Sequence, residues 1–537
     1  MGSKGRKYIF VTGGVLSGLG KGTMAASLGR LLKARGYRVT NLKFDAYINV
    51  DPGTMSLSRH GEVFVTDDGT ECDLDIGNYE RFIDENLPGE SSVTIGKVYL
   101  SVIERERSRG YEGEDIQVIP HITDEIKKRI REAAESSGAE IAIVEIGGTV
   151  GDIESLPLLE AIRQMAFDES RGNVMFIHLT LVPLMQKSGE MKSKPTQHSV
   201  KELLSFGIQP DIIVCRSEQP VNEALKDKIA LFCNVLRERV IQNTDAECIY
   251  DVPLQLEQEG LAKLVCDRLS IPYAEPDLDE WRGFCRRRRE ASTPVKIALV
   301  SKYTETQDAY LSVTEALLHA SVKAGLKLDL CRLSAEDLVN PDGLSLLQSA
   351  EGIIIPGGFG ERGVPGMIRA AGYARQNRVP FLGIGLGMHS AVFEYARAVL
   401  DRPDAYSAEY GETTTPIIDI IPESRNKRAT GSMRRGASEI TFTPNSLISA
   451  SYAASTAIER HRHRYEINPA YRDALSDAGM LTTASSQNGA RAEAVELPAS
   501  VHPWFVGVQY HPEFKSRPNR PHPLFVEFMS AAALKDY

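Results

Sequence analysis

Five strand-like runs, YIFVTGG, YRVTNLKF, EIAIVEIGG, NVMFIHLTLV and DIIVCR, most of them largely apolar, punctuate the first half of this 537-residue sequence, with longer amphipathic stretches between them. A strand with one wet face alternates apolar and polar residues. The apolar runs do not, so each needs cover on both faces, which parallel sheets obtain from crossover helices. The first half therefore reads as an α/β domain built on a doubly wound parallel sheet. The alternation restarts with VKIALVSKY, LKLDLCRL, EGIIIPGG and VPFLGIG, which predicts a second domain of the same class. Between the two, IPYAEPDLDEWRGFCRRRREASTPV is rich in proline and charge and has no strand period, so it reads as a linker with one polar helix. The expected division is residues 1–273, a linker over 274–294, and residues 295–537.

Composition removes several classes of function. A net charge of -10 disfavours nucleic acid as the main partner but leaves room for a local basic pocket that takes small anions. No apolar run approaches the roughly 18 residues of a membrane span. The N-terminal MGSKGRKYIFVTGG leads into a strand and a glycine loop and not into a signal peptide, so a cytoplasmic location is expected. The seven cysteines are scattered and never form CxxC, which speaks against a disulfide framework or a zinc site. The basic, polar segment Arg425–Arg435 reads as an exposed loop.

GGVLSGLGKGT, Gly13–Thr23, follows the strand YIFV and precedes a helix pattern. Converging backbone N–H groups, a helix N-terminus and a lysine are what a nucleoside triphosphate needs, so Ser17, Gly18, Leu19, Gly20, Lys21 and Gly22 are candidate ATP ligands. The spacing departs from GxxxxGK[ST]: Val15 occupies the first glycine position and Gly22 follows the lysine. A triphosphate calls for magnesium, for which Asp73 and Asp75 in CDLDIG and Glu145 in VEIGG are candidate carboxylates at strand ends. Lys192, Lys194, Gln197 and Lys201 crowd into MKSKPTQHSVKELL, a candidate site for a second anionic substrate. In the second half, FLGIGLGMHSAVFEYAR reads as a strand, a sharp turn and a helix, with Gly385 at the crest.

VTGGVLSGLGKG, INVDPGTM, HGEVFVTDDG, VEIGGTVGDIESLP, SGEMKSKPTQHSVKELL and KIALFCNV together resemble the synthase domain of the CTP synthase family, and the likeness continues into the second domain. The resemblance implies a P-loop, dethiobiotin-synthetase-like amidoligase domain. In that family ATP phosphorylates the position-4 oxygen of UTP, and ammonia displaces the phosphate. By the same resemblance Lys21 and Lys43 are catalytic, Asp75 and Glu145 hold magnesium, and Asp75 also belongs to the ATP site. Asp152, Glu154, Lys192, Lys194, Gln197, Lys228 and Phe232 would bind UTP or CTP, and a homotetramer is implied.

The second domain resembles a class I glutamine amidotransferase, in which a cysteine on the elbow, a histidine and a glutamate release ammonia from glutamine. His511 and Glu513 in QYHPEF match two of the three, and two residues apart on an extended segment they would share a face. Gly357 and Gly358 in PGGFGERG match the oxyanion loop, and Glu409 and Arg464 the glutamine pocket. Where the family reads GICLGMQ this chain reads GIGLGMH, with Gly385 at the cysteine position and His389 at that of the glutamine. A thioester needs a thiol, so glutaminase activity is expected to be lost and the family's GTP effect on it lost or altered. Other departures are Gly18, Ala46, Leu57, Ser58 and Arg59, Asn78, Ile95 and Ser193; Leu57–Arg59 fall where the family's ammonia route runs. Three readings result: an ammonia-dependent CTP synthase, a ligase using another nitrogen nucleophile or acceptor, and a non-catalytic nucleotide-binding partner of an active synthase.

Overall fold

The computed structural model describes residues 5–421, 433–486 and 488–534. They form two compact units. The first comprises the described residues of Met1–Thr54 with Cys72–Cys285, and the second those of Met55–Glu71 with Arg286–Tyr537.

The first unit holds a seven-stranded sheet of β1 (Lys7–Gly13), β2 (Val39–Asp45), β3 (Ser92–Thr94), β4 (Ile141–Ile146), β5 (Val174–Leu181), β6 (Ile212–Ser217) and β7 (Val240–Thr244). Its spatial order is β7-β6-β5-β1-β4-β2-β3, parallel throughout. The central strands are buried along nearly their whole length, as their unbroken apolar runs require. β3 and β7, too short or too polar to stand out as apolar runs, close the two edges. Three helices of this unit matter below: α1 (Lys21–Lys33), α2 (Leu74–Ile83) and α3 (Lys194–Ser205).

The helix α4 (Asp279–Glu290) lies where the sequence predicts a polar linker helix, but it is amphipathic. Trp281, Phe284 and Cys285 are buried, and Trp281 packs 5.3 Å from the Phe82 ring and 5.6 Å from that of Tyr250. Three apolar side chains among many charges suffice for a buried stripe, which composition averaged over the segment conceals.

The second unit is built on a nine-stranded sheet. β8 (Thr293–Ser301), β9 (Leu326–Ser334), β10 (Gly352–Ile355) and β11 (Phe381–Ile384) are joined by β16 (Phe505–Val508) in the parallel order β9-β8-β10-β11-β16. Beyond β16 the sheet continues antiparallel through β15 (Arg491–Glu496), β14 (Leu481–Ser486), β12 (Arg434–Phe442) and β13 (Thr456–His463). α5 (Leu311–Ala324) and α6 (Leu386–Ala398) follow β8 and β11. Of the basic segment expected to be loop, residues 425–432 lie outside the described residues, whereas Arg434 and Arg435 begin β12 and pair with Glu493 and Glu71, each at 2.6 Å. Met55–Glu71 is bound into this unit by further charged contacts: Asp67 to Arg460 at 2.6 Å, Glu71 to Arg462 at 2.7 Å, and the Glu62 carboxylate to the Ser312 N–H at 2.8 Å.

Candidate functional site

The glycine loop between β1 and α1 turns sharply, and Val15 in it sits at φ 79°, a left-handed conformation that is strained for a β-branched residue. Gly20 precedes α1, whose first residue, Lys21, is buried and donates to the Gly148 carbonyl at 2.7 Å. Burial lowers the Lys21 pKa, with Glu145 opposing that shift. The departure at Gly22 has a direct cause. A Cβ there would lie 2.0 Å from Asp75 Oδ1, so the carboxylate fills the space a serine or threonine side chain would need.

Lys43, on β2, is the hub of this site. Its Nζ lies 2.5 Å from Asp75 Oδ2, 2.9 Å from Glu145 Oε1 and 3.7 Å from Asp45 Oδ1. Burial works against its charge, but Asp75, Glu145 and Asp45 outweigh it and hold the ammonium well above its ordinary pKa. Burial likewise pushes Asp75 up, and Lys43 overcomes this and holds it below the usual carboxylate range. Asp45, with less help, is raised by burial to about 6. Tyr79 donates its hydroxyl to Glu145, and Asn78 donates to Asp75 Oδ1 at 3.4 Å. Glu145 stands on β4 as expected. Asp73 directly follows the two-residue strand Glu71–Cys72 and caps α2, accepting from the Asp75 N–H at 2.9 Å, whereas Asp75 lies in that helix's first turn and not at a strand end. A short DLD run before an apolar helical pattern is as much a helix-cap signal as a strand end.

A cavity of about 440 Å³ opens beside the loop, lined by Gly18, Leu19, Gly20, Arg216 and Asp245 among others. Arg216 and Asp245 pair at 2.8 Å, and the sequence reading did not single them out. Arg216 near the end of β6 and Asp245 just past β7 could have been found as charges at the carboxyl ends of parallel strands, where open α/β sheets bind ligands.

On α3, Gln197 donates to Ser193 Oγ at 2.9 Å, and the Lys194 ammonium lies 5.9 Å from the centre of the Phe232 ring, which brings those two candidates together. Lys192 is paired with Glu190 at 2.5 Å, and Lys228 is exposed. Asp152 and Glu154 are exposed on the loop after β4, where Asp152 accepts from the Thr149 N–H at 3.1 Å. A Cβ on the adjacent Gly151 would lie 3.5 Å from Glu202 Cγ of α3, so this loop borders that helix.

In the second unit Gly385 forms the crest between β11 and α6 at φ 52° and ψ -106°. Its N–H donates to the Val508 carbonyl at 2.7 Å. His511 Nδ1 lies 2.7 Å from Glu513 Oε1. The two do not share an extended face, however: residues Pro512–Lys515 form a 3-10 turn, because proline after His511 sets φ for a helical turn, and the turn brings the carboxylate back to the ring. Gly357 lets the histidine ring approach closely: a Cβ there would fall 2.7 Å from His511 Cε1 and would have to displace the ring. Glu409 accepts from the Gly360 N–H at 3.0 Å, and Arg464 Nε is buried with no hydrogen-bond partner among the described residues. His389 lies one turn along α6, bonded to Gln509 Oε1 at 2.9 Å, and burial pulls its pKa down to about 4.

A cavity of about 80 Å³ gathers Gly357, Gly358, Gly385, His389, Glu409, Arg464, His511 and Glu513, and Leu57 and Glu62 join its lining. Lys302 escaped the sequence reading. It is buried, its Nζ donates to the Phe359 carbonyl at 3.0 Å and to that of Gly360, and burial lowers its pKa to about 8. Only its place in SKY after the first strand of the domain hinted at it.

Among the described residues no helix is long and apolar enough to cross a membrane. Residues 7–271 match the family model described as CTP synthase N-terminus, and residues 305–531 match that of glutamine amidotransferase class-I. A CTP synthase of Ruminiclostridium cellulolyticum is 56% identical over 527 residues, covering 98% of each chain. One from Clostridium kluyveri is 54% identical over 528 residues, again 98% of each. Among solved structures, a glutaminase domain of Trypanosoma brucei CTPS is 39% identical, covers 45% of this chain and 95% of its own, and has a TM-score of 0.43. With both units matched in this order and full-length relatives above half identity, the chain belongs to the CTP synthase family.

Proposed function

We propose that this protein makes CTP from UTP, ATP and free ammonia, and that its second unit does not hydrolyse glutamine. The observation that carries the reading is a contrast: Lys21, Lys43, Asp75 and Glu145 converge beside the phosphate loop, whereas the His511–Glu513 pair faces a glycine.

Transfer of a phosphoryl group to a weakly nucleophilic carbonyl oxygen is a problem of positioning and charge. The loop N–H groups and Lys21 hold the ATP phosphates, with the adjoining cavity taking the nucleoside. Lys43 neutralises charge on the transferring group. Lys192, Lys194, Gln197 and Lys228 hold the triphosphate of UTP, with Asp152, Glu154 and Phe232 at its borders. Magnesium fits the donors present: Asp75 and Glu145 offer hard carboxylate oxygens, and magnesium commonly takes one or two carboxylates and completes its shell with phosphates and water. Bound there, it would neutralise phosphate charge in the same step. Ammonia then attacks C4 of the phosphorylated ring, phosphate departs with the C4–O4 bond electrons, and the nitrogen loses a proton.

In the second unit His511 is oriented by Glu513, yet no side chain at the crest can form the acyl intermediate. By the family resemblance Gly357 and Gly358 correspond to an oxyanion loop, and Glu409 and Arg464 to a residual glutamine pocket. A homotetramer, and a GTP effect on glutamine hydrolysis that is lost or altered here, follow from the family resemblance.

Purified protein incubated with ATP, magnesium and UTP, plus either ammonium or glutamine, separates the readings when CTP and ADP are followed chromatographically. CTP from ammonium alone supports the proposal. CTP from glutamine overturns it, and ADP without CTP directs attention to another acceptor or amine.

A further inference from the structure

A buried polar junction in the first unit is unused by the chemistry above. His178 on β5 is in register with Thr12 on β1 and is fully buried. Its Nδ1 lies 2.8 Å from Thr12 Oγ1 and its Nε2 2.7 Å from Ser199 Oγ. Thr12 leads into the phosphate loop. Ser199 lies on α3, two residues beyond Gln197. Gly14 rests on this junction, for a Cβ there would fall 1.7 Å from Ser199 Oγ and 3.4 Å from His178 Nε2. The start of the loop and the helix bearing Lys194 and Gln197 thus meet at one imidazole. A parallel tie, Thr180 Oγ1 to Thr196 Oγ1 at 2.8 Å, joins the same helix to the same strand.

Burial, with Lys21 nearby, lowers the His178 pKa to about 3, so the ring is neutral, with one nitrogen donating and the other accepting. An apolar side chain could fill the same space. Two hydrogen bonds from a rigid ring also set direction, and an unsatisfied partner left in so buried a place would be costly.

We propose that His178 is a positioning residue that fixes the phosphate loop and α3 relative to each other, so that the donor phosphates and the acceptor nucleotide meet in line. The inference rests on the assignment of those two segments to ATP and UTP made above. Misplacement by about 1 Å is enough to slow a reaction by about 10²-fold, which gives a small shift of this junction a kinetic consequence.

Three variants test it: His178→Asn reaches toward Thr12 only, His178→Gln extends toward Ser199, and Ser199→Ala removes the far partner. For each, kcat and the KM values for ATP and UTP would be measured with ammonium, beside thermal midpoints and calorimetric titration of each nucleotide alone and with the other present. The expectation is a fall in kcat of about 10- to 100-fold for His178→Asn and Ser199→Ala, KM values within about threefold of wild type, and partial recovery with His178→Gln. A lowered melting point with full kcat per folded molecule would mean a purely structural role and overturn the proposal. So would loss of binding of each nucleotide singly. If the unsubstituted protein binds both nucleotides but makes no CTP, the functional assignment fails. The inference, which rests on that assignment, then falls with it, whereas CTP formation by the unsubstituted protein with full kcat in the variants overturns the inference alone.

Discussion

A β-carbon on Gly385 would stand 3.8 Å from His511 Nε2 and 3.7 Å from Gly357 Cα, both ordinary contact distances. The crest therefore has room for a β-carbon beside the histidine, the first atom that a thiol side chain would need. Gly385→Cys is expected to confer CTP formation from glutamine while leaving the ammonium-dependent rate unchanged. The φ of 52° would make any side chain there destabilising by about 1–3 kcal/mol, visible as a lower melting temperature of the variant. A folded variant that stays inert with glutamine would show that more than the nucleophile has been lost.

Lys43 separates carboxylates that would otherwise face each other across a buried site. Lys43→Met leaves Asp75 and Glu145 without their counter-charge, so a stability loss of about 3–5 kcal/mol is expected in urea titration. CTP formation from ammonium should fall at least about 10²-fold. Adding Glu145→Gln should restore part of the stability and none of the activity, which distinguishes the two effects.

His389 carries an acid sensitivity. Burial, opposed by its bond to Gln509, holds its folded pKa at about 4, below the unfolded value, so the unfolded chain binds more protons between the two. The stability it contributes is complete above about pH 6.5 and is lost as pH falls toward 4. His389→Gln removes that loss. From pH 7.5 to 4.5 the unsubstituted protein should lose about 2–3 kcal/mol more than the variant, as read by denaturant midpoints at each pH. Equal losses would refute a neutral, buried His389.

Trp281 is 1% exposed, donates its indole N–H to the Tyr250 carbonyl at 2.7 Å, and packs tilted or edge-on against Phe82 and Tyr250, with the Arg30 guanidinium over its ring. Trp281→Ala should cost about 3–5 kcal/mol through the cavity it leaves and the lost hydrogen bond to the Tyr250 carbonyl, which keeps the Cys285 thiol at 3.3 Å as a donor. A change below about 1 kcal/mol, the range of surface substitutions, would place α4 outside the core.

What could be read from the sequence was what neighbours along the chain determine. Apolar runs specified parallel strands buried on both faces, and the sharp turn at Gly385 between strand and helix was legible from its glycines. Edge strands such as Ser92–Thr94 were invisible because three residues carry no period. The antiparallel extension of the second sheet escaped because its strands, Arg434–Phe442 and Thr456–His463 among them, are laden with charges whose partners lie elsewhere in the unit.

Only the tertiary structure decided which distant residues meet. Gly22 is explained by the Asp75 carboxylate in its way, and Lys43 by carboxylates that include Glu145, 102 residues on. Met55–Glu71, in the first half of the sequence, belongs to the second unit through ion pairs with Arg435, Arg460 and Arg462, and His178 bridges Thr12 to Ser199. Periodicity is a local property and survives in one dimension. Charge pairing and close approach depend on distances in space, so those relationships exist only once the chain has folded.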